Sequence, residues 1–429
     1  MTKLASLRSA LCGATALAAF TLPAVAQEIS VLSGYPEMTP FYERVAEGLR
    51  ETYPNLKVNV EPITLREHER RVALGLSSGL EGASVIELST STAGRYVQAG
   101  LMPEAPAGAS EFVTDPANFT QFFIDAASHD GKVYGIPLFR GQGALFYNTR
   151  MFAEAGLDAP PQTMAEFTDY AEKLTQRDAN GNPVVSGWSL RLSGGSQGIA
   201  EKWWLVLYNY GGTLIEEVSP GKWRAGYANE AGVQALGQYL DNLYDKRTVT
   251  IEMPSDAEAF EREQTAMFIR ESWVIGDIAA KAPDLEYATA PLPVGSIALP
   301  VNLYVAGEGS DEEKQAAWDF AMAANEPENL VWLLDNVGWL PNRAGVDFSS
   351  VTDEIAAFGA FVDYPADYTF FTVPSIAVIE DLQTRLAAKL TEAFANPALA
   401  GDDAAILAFL ESAAQETNAI LKREGLLAE

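Results

Sequence analysis

Between residues 28 and 100 the hydrophobic pattern changes period again and again, and that change constrains the fold more than any other feature. Ile29, Val31 and Leu32 make a short apolar run. Phe41, Val45 and Leu49 recur at helical spacing, Tyr53-Pro54 stops that helix, and Val58 and Val60 alternate as in a strand. A second unit follows: a charged helix over about residues 67–80, a strand in ASVIEL, and a helix ending at Gly100. Strand alternating with helix predicts an α/β fold in which a mostly parallel sheet is covered on both faces. Ligands of such sheets bind beyond the carboxyl ends of the strands, which points to residues 33–37 and to Ser89-Thr90.

At 429 residues, 48% of them hydrophobic, the chain is long enough for two lobes. Its formal charge of −29 is dispersed and repels nucleic acid and anionic lipid, so neither is an expected partner. Residues 1–26 read as a secretory signal. Lys3 and Arg8 flank the apolar run LCGATALAAFTLPAV on its N-terminal side, and Ala24-Val25-Ala26 supplies small residues for cleavage after Ala26. The run is shorter than the ~20 residues of a membrane span, so an exported protein is expected. Cys12, the only cysteine, lies inside this segment, which removes disulfides, thiolate metal sites and cysteine catalysis from the mature chain.

Further along, Thr163 and Glu166 have capping-box spacing, as do Ser310 and Glu313. DANGNP at 178–183 reads as a turn, and a long helix closes the chain over about residues 402–423. The two histidines offer little chemistry. His68, within EHERRV, reads as a surface residue of a solvated helix, and His129 as part of the turn SHDGK. Ser-His and Cys-His catalysis therefore lack their parts, and neither a metal nor a cofactor is expected. GGSQG at 194–198 lacks the Lys-Ser/Thr of a phosphate loop and reads as an ordinary loop.

The GQG of YGIPLFRGQGALFYN, residues 134–148, begins like a dinucleotide fingerprint, but Phe146 occupies its sixth position. The 58 acids could supply a glycosidase's carboxylate pair, yet nothing in the sequence marks one. The aromatics say more. Trp203-Trp204, Tyr208, Tyr210, Trp273 and Trp339 lie beside loops or turns, whereas Trp332, inside LVWLL, reads as core. A sugar lays its C–H faces on such rings while Glu, Asn, Gln and Arg take its hydroxyls.

Residues 133–175 carry a Gly-x-Pro strand, a crossover, Tyr-Asn, Ala-Gly-Leu, Pro-Pro and a Thr opening a helix, in that order. This stretch resembles the family 1 extracellular solute-binding proteins, the maltose-binding-protein type that serves ATP-driven importers. YGGTL at 210–214, QTAMFIRESW at 264–273, SDEEKQAAWDFAMAANEPENL and GWLPNRAGV extend the resemblance over nearly the whole mature chain. Two positions depart from the family pattern: Glu271 replaces a frequent Gly, and Ala83-Ser84-Val85 replaces Pro-Asp-Val.

The resemblance implies a two-lobed periplasmic-binding-protein fold, each lobe a mostly parallel sheet flanked by helices, with three hinge crossovers and a ligand cleft between the lobes. The N-lobe would hold residues 27–140 and 302–341, and the C-lobe 141–301 and 342–429. Gly141 and Gly143 would then be hinge residues, suited to unusual φ. The implied role is that of a monomeric, non-enzymatic carrier. It would deliver a small-molecule carbohydrate to the membrane permease subunits of an ABC importer.

By position, the implied ligand contacts are Tyr35, Glu37, Thr90, Arg140, Gln142, Trp203, Trp204, Arg270, Glu271, Trp273, Asn302 and Trp339. The rings would stack, and Glu37, Gln142, Glu271 and Asn302 would bond hydroxyls. Arg140 and Arg270 would also suit an anionic polyol or acidic sugar such as a uronate, a sulfonated sugar or glycerol phosphate. A secreted glycosidase is the rival from another class, since it would consume what it binds.

Overall fold

The computed structural model describes residues 28–78, 85–194, 197–365 and 367–428. The signal segment, Leu80, Ala83-Ser84 and Gly195-Ser196 lie outside the described residues. Among the described residues, no helix is long and apolar enough to cross a membrane.

The N-terminal alternation folds as its periods dictate. Strands Glu28–Ser33, Lys57–Pro62 and Val85–Ser89 pair in parallel, with Ile29 opposite Val58 and Val31 opposite Val85. Helix Thr39–Gly48 links the first two and buries Phe41, Tyr42 and Val45. The charged helix runs Leu65–Ser78.

Two long strands then carry the chain through the molecule. Gly295–Val305 lies antiparallel to Val85–Ser89, and Gly135–Asn148 lies antiparallel to Gly295–Val305. At about 3.3 Å per residue, a strand of 14 residues spans ~45 Å, enough to run through both lobes. Its second half pairs with Met267–Glu271 and Tyr287–Ala290. The start of Gly295–Val305 pairs in parallel with Thr369–Phe371. A third passage, Leu340–Pro341, pairs with Arg140 and Phe139. The expected parallel pairing holds for the three N-terminal strands. The antiparallel neighbours arise because the crossover strands must run back between lobes.

Two large cores sit on either side of this spine. One gathers Phe41, Tyr42, Phe139, Trp318 and Trp339. The other gathers Phe167, Trp188, Trp203, Trp204, Leu390 and Leu421. The helix ends follow their sequence signals. Thr163 accepts from the Glu166 amide at 3.2 Å, while Glu166 reaches back to the Gln162 amide at 2.6 Å. Ser310 and Glu313 complete both halves of a capping box, and Asp402 caps Asp403–Arg423. In the turn at 178–183, Asp178 accepts from the amides of Asn180 and Asn182.

Three expectations change here. His68 is fully enclosed, because His68 and Val72, four residues apart, form the inward stripe of an otherwise charged helix. Its Nε2 lies 2.6 Å from the Glu87 carbonyl oxygen, and burial pushes its pKa down. The GGSQG segment is only partly a loop, since helix Gln197–Asn209 begins within it. Gly141 and Gly143 lie in extended strand and neither takes a positive φ. What glycine supplies there is room: a Cβ on Gly143 would stand 3.2 Å from Ser296 Oγ.

Candidate functional site

The missing side chain at Gly141 locates the meeting point of the two halves. A Cβ placed there would lie 3.5 Å from Glu271 Cγ, 3.7 Å from Trp339 Cζ3 and 3.8 Å from Leu299 Cβ. Trp339 belongs to the N-terminal core and Glu271 ends the strand Met267–Glu271 of the opposite half.

On the N-terminal side three rings form a corner. Tyr35 meets Phe139 at 5.3 Å and 84°, and Trp339 at 5.4 Å and 77°, while Phe139 and Trp339 lie 5.1 Å apart. The two contacts of Tyr35 are edge-to-face and hold its half-buried ring against the buried Phe139 and Trp339. Trp339 Nε1 donates to Glu37 Oε1 at 3.1 Å, which fixes the indole and the exposed carboxylate together. Burial, then the carboxylates of Glu87, Glu69 and Glu37, push the Tyr35 hydroxyl far above its usual pKa, so it stays a neutral donor and acceptor.

The opposite wall is a chain of paired charges. Glu271 accepts from Lys202 Nζ at 2.8 Å and also pairs with Arg270. Arg270 Nε donates to Asp256 Oδ1 at 2.5 Å, and Arg191 reaches the same carboxylate at 3.4 Å. The Arg270 guanidinium lies 5.1 Å from the centre of the Trp273 ring. Burial opposes ionisation of Glu271, but Arg270 and Lys202 outweigh it and hold the carboxyl well below the usual range. The neighbouring half-buried Glu201 is shifted the other way, because burial and the Glu271 charge exceed the help from Lys202.

The expected contacts thus divide. Tyr35, Glu37 and Trp339 form one group, Arg270, Glu271 and Trp273 another, and the two meet over Gly141. Arg140 and Gln142 share the strand face opposite to Gly141, as a period of two demands. Arg140 donates to Gln142 Oε1 at 3.0 Å and to the Pro341 carbonyl at 2.7 Å, and burial lowers its pKa to about 10. Gln142 donates to the Phe361 carbonyl at 3.4 Å. Asn302 is enclosed and donates to the Ala126 carbonyl and to Tyr304 Oη, both at 3.3 Å. Thr90 is buried, and its carbonyl accepts from Ser375 Oγ at 3.0 Å.

Trp203 and Trp204 require a correction. Both are core residues, 0% and 2% exposed, with Trp203 edge-on to Tyr227 and Trp204 against Phe371. Helix Gln197–Asn209 is apolar nearly all round, so its indoles are enclosed by its neighbours. The side chain that this helix sends to the charged wall is Lys202. Its signal in the sequence was a lone Glu-Lys edge, Glu201-Lys202, on an apolar helix. Arg66 and Glu69, paired at 2.8 Å on helix Leu65–Ser78, were also not expected at the site, although Arg66 is close enough to act on Tyr35 and Glu201. No group of His, Cys, Asp and Glu able to hold a metal occurs among the described residues.

Residues 45–361 match the family model of the bacterial extracellular solute-binding proteins. The chain belongs to that family. A binding protein of Brucella abortus is 21% identical over 336 residues, which cover 75% of this chain and 78% of the relative. Among solved structures, a Thermotoga lettingae ABC-transporter solute-binding protein bound with α-D-tagatose is similar, with TM-score 0.75 and 19% identity over 92% of this chain and 99% of that one. A cyclic α-maltosyl-1,6-maltose binding protein of Arthrobacter globiformis gives TM-score 0.71 and 21% identity at the same coverages. The two-lobed solute-binding fold is therefore that of this chain.

Proposed function

We propose that this solute-binding protein captures a neutral carbohydrate or polyol between its lobes and releases it, unchanged, to the permease of an ABC importer. The observation that carries the reading is the contact over Gly141, where the Tyr35–Trp339 corner faces the Lys202–Glu271–Arg270 wall. One side supplies the half-buried Tyr35 ring, backed by Trp339, and the other fixed hydrogen-bonding groups, the combination a sugar needs. The tagatose-bound and maltosyl-maltose-binding neighbours, and a partial likeness to a lactose-binding protein of Rhizobium radiobacter over 128 residues, support the same ligand class.

Charge balance favours a neutral ligand over an anionic one. Arg270 is already matched by Asp256 and Glu271, and Arg140 lies on the other face of its strand. In this reading residues 27–140 and 302–341 make the N-lobe and residues 141–301 and 342–429 the C-lobe. The protein is exported, with residues 1–26 removed, acts as a monomer in the periplasm, and is not an enzyme. The ligand shifts the open–closed equilibrium by as much as it prefers the closed form.

A thermal-shift screen tests the proposal, using D-tagatose, maltose, lactose and mannobiose against glucuronate and glycerol phosphate, with recovered compounds weighed by mass spectrometry. A sugar at a hundred times its Kd should add about 2.7 kcal/mol. A neutral sugar that stabilises and returns intact supports the carrier. A cleaved sugar supports the glycosidase instead, and stabilisation confined to the acidic compounds overturns the neutral reading.

A further inference from the structure

Glu87 is the anomaly of the N-terminal sheet. It stands in the middle of VIELS, between the buried apolar Val85, Ile86 and Leu88, and it is itself fully enclosed. A buried carboxyl is costly unless every oxygen is occupied, and here each one is. Oε1 accepts from Ser33 Oγ at 2.9 Å and from the Gly34 amide at 3.2 Å, and Oε2 is bonded to the Tyr42 hydroxyl. Ser33 Oγ in turn accepts the Tyr35 amide at 3.2 Å. The backbone of Glu87 holds His68 at 2.6 Å, and the imidazole lies so close on Gly34 that a Cβ there would stand 2.9 Å from His68 Cδ2. The turn that carries Tyr35 and Glu37 is thus clamped from beneath by one carboxyl and one imidazole.

We propose that Glu87 is a positioning residue for the ligand: its carboxyl fixes the turn over residues 33–37, and its protonation state sets how firmly Tyr35 is held against Trp339. The groups around it explain the dependence. Tyr42 faces it from helix Thr39–Gly48, Ser33 and Tyr35 from the end of the first strand, and Glu37 from beyond the turn. His68 approaches from helix Leu65–Ser78 but touches only the backbone, and burial keeps it neutral. No ion pair to Glu87 occurs among the described residues. Burial raises the carboxyl to about 8 against the pull of its three hydrogen bonds. At neutral pH it carries its proton. Above that range the proton passes to solvent, leaving an enclosed negative charge that its hydrogen bonds offset only in part, with the Glu37 carboxylate adding repulsion.

The role of Tyr35 and Glu37 as ligand contacts is the reading given above, and the test of Glu87 is independent of it. Amide hydrogen exchange is followed in the sugar-free protein from about pH 6 to about pH 9.5, corrected for the intrinsic rate. The Gly34 and Tyr35 amides should lose protection by about tenfold per pH unit as pH rises from about 6 toward 8, and the loss should level off above about pH 8, where closed and open states are both ionised. Helix Asp403–Arg423 should not change. Glu87→Gln keeps one acceptor oxygen for Ser33 and Gly34 and turns an uncharged NH2 donor toward Tyr42, so its profile should stay flat, and Glu87→Ala should exchange fast at all pH values. Identical profiles in wild type and Glu87→Gln overturn the proposal, as does unaltered exchange in Glu87→Ala. If either variant fails to fold, the wild type decides alone. The Glu87 carboxyl carbon and the Tyr35 amide must titrate with one midpoint by NMR, and separate midpoints overturn the idea. A failed sugar screen would remove the carbohydrate reading and leave this result standing.

Discussion

Lys202 Nζ stands 2.8 Å from Glu271 Oε1 with the two side chains only 13% and 11% exposed, which makes this pair the most enclosed ion contact at the meeting of the lobes. Arg270 is on the other oxygen. A carboxylate shared by two cations in such a place cannot be removed cheaply, because its loss leaves two like charges facing each other. Glu271→Ala should cost about 3 kcal/mol in urea unfolding. Lys202→Met should cost less, since Arg270 still compensates Glu271. The pH dependence has a definite sign. The folded-state pKa of Glu271 lies below that of the unfolded chain, so its contribution is present above the ordinary carboxylate range and lost as pH falls beneath it. Glu271→Gln should therefore flatten the acid limb of the stability profile. An unchanged limb would show that the pair is loose in solution.

The two classes of tryptophan should separate by experiment. Trp203 is wholly enclosed, so Trp203→Ala should cost about 3–5 kcal/mol and leave any sugar-induced thermal shift in place. Trp273 is half-buried under Arg270, so Trp273→Ala should cost less and reduce that shift with D-tagatose or maltose. The opposite pattern would return Trp203 to the ligand.

These two tryptophans show where sequence reading stops. A period says which residues share a face, and with the two capping pairs at Thr163 and Ser310 it places the strands and helices well. It does not say which face turns inward. Trp203, beside Lys202 on one helix, has the residue type and position of a ligand contact, and only the packing of Tyr227 and Phe371 around the helix puts it in the core. Arg140 and Gln142 sit at the crossover, the position expected of cleft residues, yet Gly141 between them is the one whose face meets Trp339 and Glu271. His68 and Glu87 were hidden for another reason. Each is polar, and its burial depends on partners far away in sequence, the carbonyl at residue 87 for one and Ser33, Gly34 and Tyr42 for the other.

Gly141 offers a direct test of the cleft. A Cβ there makes only ordinary contacts, so Gly141→Ala should fold with a stability change within about 1 kcal/mol. A leucine side chain would reach into the space between Trp339 and Glu271. Gly141→Leu should keep its fold by circular dichroism and lose the thermal shift with every sugar that stabilises the parent. A full shift in Gly141→Leu would move the ligand away from this contact.

A second close approach lies at the rim. Helix Thr90–Gln98, whose Ala93, Tyr96 and Val97 sit in an N-terminal core, touches a segment rooted in the other core through Val373 and Ile379. Ser375 Oγ donates to the Thr90 carbonyl at 3.0 Å, Gln98 to the Ser375 carbonyl at 3.3 Å, and Arg95 pairs with Glu380 at 3.2 Å. The ion pair is about one-third exposed and should contribute at most ~1 kcal/mol, so Glu380→Ala alone should change little. The backbone contact is less forgiving. A Cβ on Gly94 would come within 2.7 Å of Ser375 Cβ, closer than carbon atoms pack, and the rim could then close only by moving one element. Gly94→Val should therefore hold the lobes apart. Small-angle X-ray scattering should show a larger radius of gyration than in the parent, and the addition of a stabilising sugar should shrink it less. Equal radii with and without the substitution would mean that the rim contact is not part of the closed state in solution.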